Sequence, residues 1–133
     1  MAITISGKAH FAPELYIPSG IKDISFYEKA LGAMEIKRWT NEDGTIHVAE
    51  FSIGTAIFHV HEENKNKELF CPLAIKGTTV HIGLFVEDVD GFMSRAIEGG
   101  AVLVKPATSY DYGYRQGEFK DPFGHIWQIQ QKI

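Results

Sequence analysis

HIGLFVED, residues 81–88, alternates Ile82, Leu84 and Val86 with His81, Gly83 and Phe85, and ends on an Asp able to cap a helix. It lies on APELYIPS, residues 12–19, at an offset of 69 that pairs Leu15 with Leu84, Tyr16 with Phe85 and Ile17 with Val86. The segments C-terminal to the two stretches also match. After the first, Ser19 can cap a helix carrying Ile21, Ile24, Tyr27 and Leu31 and stopped by Gly32. After the second, Asp88 can cap a helix carrying Val89, Phe92, Met93, Ala96 and Ile97 and stopped by Gly99-Gly100.

Each helix is followed by alternating runs and turn residues. The first half gives a strand over Lys8 to Ile17, the helix, and strands over Met34 to Thr40, Thr45 to Ile53 and Thr55 to His61. The second half gives Thr79 to Val86, the helix, Ala101 to Lys105, Tyr114 to Lys120 and a last strand, His125 to Gln131, entered through the DPFG turn at 121–124. The expected architecture is α+β, one domain over residues 1–133, built from two βαβββ modules at about 8–61 and 79–131. EENKNKE (62–68), with Pro72 and Gly77 beyond it, reads as part of a linker over 62–78.

Strand parity separates two faces. Leu15, Ile17, Ala49, Phe51, Phe58, Val60, Ile82, Leu84, Trp127 and Ile129 form an apolar set that belongs under the helices. The opposite set holds His10, Tyr16, Glu50, Ile57, His59, His61, His81, Phe85 and Gln128. An ordinary wet face is rich in Lys, Glu and Thr. Histidines and aromatics with a few polar groups are how small-molecule sites are lined, so this face is read as the inside of a cleft.

The remaining sequence narrows the function classes. The chain of 133 residues has a net charge of −4 and no Lys/Arg run, against a nucleic-acid footprint. It shows neither a signal-peptide pattern nor an apolar run near the ~18 residues of a membrane span. The single Cys71 excludes an intrachain disulfide and fits a reducing compartment, so a cytoplasmic protein is expected.

SFYEKALGA (25–33), VHIGLFVEDVDGFMSRAIEGGA (80–101) and DPFGHIWQI (121–129), in this order and within an internal repeat, resemble the vicinal oxygen chelate superfamily of glyoxalases, bleomycin-resistance proteins and extradiol dioxygenases. The YGYRQGEFKDPFGHIW ending is similar to its PhnB-like branch. The resemblance implies a half-open, curved mixed sheet with helices outside, and a homodimer that completes or swaps the modules. Metal-dependent members place ligands at four positions that fall here on Ala12, His59, His81 and Gln128. Ala12 cannot bind a metal, and Gln128 stands where Glu is usual.

Two imidazoles and an amide oxygen, from His59, His81 and Gln128, can hold Zn, Ni, Mn or Fe, and Glu50 is the candidate general base. On that reading the chain is a metal-assisted lyase, isomerase or dioxygenase acting on a small metabolite. The rival is a metal-free protein that sequesters an aromatic or cationic compound; neither reading calls for an organic cofactor. Tyr16, Trp39, Phe85, Tyr112, Tyr114 and Arg115 are the candidate ligand contacts. Arg115 either pairs a ligand carboxylate or phosphonate or pairs with Glu118.

Overall fold

A computed structural model describes residues 9–133. The order is β1 (Glu14–Ile17), α1 (Phe26–Leu31), β2 (Met34–Thr40), β3 (Ile46–Ile53), β4 (Ala56–Glu62), α2 (Pro72–Ile75), β5 (His81–Phe85), α3 (Val89–Glu98), β6 (Val102–Tyr110), β7 (Tyr114–Lys120) and β8 (Ile126–Lys132). The strands make two four-stranded mixed sheets, ordered β1-β4-β3-β2 and β5-β8-β7-β6. In each, the first strand runs parallel to the last of its module and the other pairs are antiparallel. The α+β architecture of two βαβββ units is therefore the one the repeat implies.

Both apolar faces turn toward α1 and α3, and one core joins the modules. Tyr27 of α1 is fully buried, its ring centroid 5.4 Å from Phe51 and from Phe58 and 6.3 Å from Trp127. Burying such rings contributes about 1.5–3 kcal/mol each. The helices touch directly: a Cβ on Gly99 would lie 2.4 Å from Ala30 Cβ, so only a glycine fits there. Arg95 of α3 donates to the carbonyls of Lys29 (3.2 Å) and Glu28 (3.4 Å) in the last turn of α1, the second of which also accepts from the Gly32 amide.

The DPFG turn is the knot of this core. Asp121, 4% exposed, accepts at Oδ1 from the Phe123 and His125 amides and at Oδ2 from Tyr27 Oη and Trp127 Nε1. His125 is equally structural, since its Nε2 lies 2.7 Å from the Tyr16 carbonyl.

Several boundaries differ from expectation. β1 begins at Glu14, and Lys8 lies outside the described residues. Ser19 does not cap α1, because its hydroxyl donates to the Glu63 carbonyl; the Ile21 carbonyl accepts from the Ile46 amide, residues 21–24 lie outside the helix, and Ser25 opens it. β6 runs on to Tyr110, its later half paired with β7. The 62–78 segment is ordered by a 3-10 turn, by α2 and by the buried Cys71, whose Sγ donates to the Phe123 carbonyl. Among the described residues no helix is long and apolar enough to cross a membrane.

Candidate functional site

Residues directly opposite across a sheet point the same way, so the strand registers define rows of neighbouring side chains. In the first sheet Glu14 faces His59, His59 faces Glu50, and Glu50 faces Lys37. In the second, Gly83 faces Gln128, Gln128 faces Glu118, and Glu118 faces Lys105. The two rows are repeat-mates. The differences between them are Glu14 against Gly83 and His59 against Gln128.

In the first row His59 Nε2 lies 3.0 Å from Glu50 Oε2. The next row toward β4's end is Tyr16, His61, Val48 and Trp39. His61 and His59 rings stack at 5.8 Å and 13°, and Tyr16 sits 5.7 Å from His61. His61 Nε2 is buried and makes no hydrogen bond; Glu14 Oε1 stands 3.5 Å away without hydrogen-bond geometry. Burial holds the His61 imidazole below the usual histidine range, although Glu14 pulls the other way. Trp39 lies on the outer strand β2 with the Lys37 ammonium 4.8 Å over its ring.

The second face is hollowed. A cavity of about 220 Å³ is lined by His81, Lys105, Tyr110, Tyr112, Gln116, Glu118 and Gln128, among others. Glu118, its side chain 7% exposed, sits between His81 Nδ1 and Lys105 Nζ, each 3.3 Å from a carboxylate oxygen. Tyr110 and Tyr112 stack at 5.2 Å, Tyr114 follows 5.9 Å from Tyr112, and Phe85 lies 6.0 Å from Tyr114. Tyr112 Oη donates to Gln116, which donates on to Gln130.

The expected residues thus divide between two sheets. His81 and Gln128 line one hollow, whereas His59 and Glu50 form a pair on the other sheet. A second hollow of about 400 Å³ spans the edges of β1 and β5 and is lined by Ala12, Glu14 and His81, so the two faces adjoin there. Arg115 is placed differently from either expectation. Its Nε and Nη2 donate to the two Asp90 oxygens at 2.9 and 2.7 Å and Nη1 donates to Ser109, so its fork is occupied by α3 and β6. Glu118 pairs not with Arg115 but with His81 and Lys105.

Glu14, His61, Lys105 and Glu118 are additions to the site. The repeat itself could have supplied Glu118, since it lies within one residue of the position that an offset of 69 assigns to the mate of Glu50. Glu14 carries no such signal, because its mate is a glycine.

The model of the Glyoxalase/Bleomycin resistance protein/Dioxygenase superfamily matches residues 9–129. The uncharacterized protein Mb0911c of Mycobacterium bovis is 31% identical over 136 aligned residues, covering 100% of this chain and 88% of that protein. Among solved structures, TioX from Micromonospora sp. ML1 superposes with a TM-score of 0.71 at 24% identity, over 94% of this chain and 97% of that one. The genomically encoded fosfomycin resistance protein FosX from Listeria monocytogenes gives 0.67 at 20% identity, over 98% and 96%. These likenesses concern the fold.

Proposed function

The chain belongs to the glyoxalase/bleomycin resistance protein/dioxygenase superfamily, and we propose that it binds a small polar or aromatic metabolite on the hollowed face of its second sheet. The observation that carries this reading is Glu118, a nearly buried carboxylate at the floor of an open cavity. Burying a carboxylate is costly unless it is paired, and its partners here, His81 and the mostly exposed Lys105, are ones a ligand can reach or replace.

The lining sets the chemistry. Lys105 and the Gln128 amide can bind an anionic or carbonyl oxygen, and the tyrosines supply a stacking wall. Glu118 can accept a proton from a bound acid and His81 can relay it, as general acid–base chemistry requires. On the first sheet Glu50 stands in the equivalent position beside His59.

Superfamily metals would draw on Ala12, His59, His81 and Gln128. That set does not fit as a whole: Ala12 offers no donor atom, and His59 stands on a different sheet from His81 and Gln128. A metal-free sequestering protein is the second reading, favoured by Ala12 and by the tyrosine stack. Homodimerisation and a cytosolic setting belong to the same proposal. The outer strands β2 and β6 expose Met34, Ile36, Val102 and Leu103, apolar side chains on unpaired edges that a second copy can cover. Burial raises the Cys71 thiol above its usual range, as suits an inert thiol.

The test is a thermal-shift screen of small carboxylates, α-keto and phenolic compounds on wild type, with hits repeated on Glu118→Gln and Gln128→Ala. A ligand whose shift is lost in Glu118→Gln supports the site, and one whose shift is unchanged in both variants overturns it. Recovery of the bound compound intact or converted separates sequestration from catalysis.

A further inference from the structure

We propose that the first sheet carries a divalent-cation site of its own, formed by Glu14, His59 and His61. This site is independent of the ligand cavity on the second sheet. It shares only His59 with the four superfamily positions, and all its ligands come from a single module.

The placement begins with the strands. His59 and His61 are two apart on β4, so both imidazoles leave the same face, and Glu14 is the register partner of His59 on the neighbouring β1. One ligand atom from each lies within 4.8 Å of the others. Bonds of ~2.0–2.2 Å to a common ion need these atoms roughly 3–4 Å apart, so side-chain rotation of about 1 Å completes the geometry.

Two further features point to an ion. His61 Nε2 is a buried nitrogen with no hydrogen bond, and such atoms call for a missing partner. Glu14 does not satisfy it at 3.5 Å, yet a cation between them would bind both. His59 is meanwhile oriented by the Glu50 carboxylate, the arrangement that steadies a ligating imidazole. Two nitrogens and one carboxylate suit Zn(II), Co(II) or Ni(II), with water in the remaining positions.

The molecule contains its own control. An offset of 69 carries Glu14, His59 and His61 onto Gly83, Gln128 and Gln130, a set with neither imidazole nor carboxylate. One ion per chain is expected, although the fold presents the same backbone twice.

The experiment titrates untagged, chelator-stripped full-length protein with Zn(II) by calorimetry and with Co(II) by visible absorption. Wild type, Glu14→Gln, His61→Gln and His81→Ala are compared, and circular dichroism verifies that each is folded. The expected result is one ion per chain, a Co(II) ligand-field band, affinity reduced tenfold or more in Glu14→Gln and His61→Gln, and no change in His81→Ala. His61→Gln installs the residue that the second module already tolerates at the equivalent position. Absence of saturable binding, binding retained in His61→Gln, or binding lost in His81→Ala overturns the proposal. None of these outcomes depends on whether a metabolite binds beside Glu118, so the two readings stand or fall separately.

Discussion

The Tyr27 hydroxyl donates to Asp121 Oδ2 at 2.8 Å, joining the first helix to the last turn across 94 residues of chain. Tyr27→Phe removes this bond to a charged acceptor and leaves the ring in place. The expected cost is about 1.5–3 kcal/mol. That corresponds to a melting temperature lower by about 5–10 °C for a domain of this size. Thermal and urea unfolding of the variant measure it; an unchanged midpoint would show that the turn amides and Trp127 hold Asp121 without help.

The contact of the two helices is tested at Gly99. Its backbone has φ −79°, which alanine adopts freely, so any penalty of Gly99→Ala is steric. The new methyl would meet Ala30 Cα at 2.6 Å and Cβ at 2.4 Å, both on a helix that cannot yield locally. A loss of about 1–3 kcal/mol is expected from such overpacking. Denaturant titration reads it directly, and wild-type stability in the variant would refute the close approach.

Arg115 and Asp90 give a pH dependence. The hydrogen bond from the Arg115 fork holds the Asp90 carboxyl below its ordinary value of 3.8. Because the folded value is the lower one, the pair's contribution is present above pH 3.8 and is lost as pH falls through the folded value. Arg115→Ala should return Asp90 to the ordinary carboxylate range in an NMR titration. Stability at neutral pH should hardly move, since exposed ion pairs contribute little. An Asp90 titration unaltered by the substitution would show that the pair does not form in solution.

Much of the fold is legible in the sequence because a duplicated unit writes its register twice. The offset that pairs Leu15 with Leu84 also carries the Glu14–His59 partners onto Gly83–Gln128 in the sheets. Asp88 caps α3 through its side chain to the Gly91 amide, as a polar residue before an apolar helical run suggests. Ser19 carries the same local signal, but a backbone bond between Ile21 and Ile46 overrides it, and no local pattern reports a partner 25 residues away. The site is less legible. Parity places His59, His81 and Gln128 on the polar faces, but which polar groups on neighbouring strands stand opposite each other depends on register. Sequence alone therefore offers Arg115 as a partner for Glu118 instead of Lys105, its actual neighbour on β6.

The Asp121 knot also bears on the order of events during synthesis. Tyr27 emerges from the ribosome 94 residues before Asp121, so the cluster it forms with Phe51 and Phe58 is made before Asp121 and Trp127, which complete its burial. The aromatic cluster of the first module therefore stays incompletely buried until residues 121–127 have been made. The long-range closure makes folding of this core slower than helix or hairpin formation. A nascent chain stalled before residue 121 exposes apolar surface that the finished protein hides, and so becomes a natural client for chaperones.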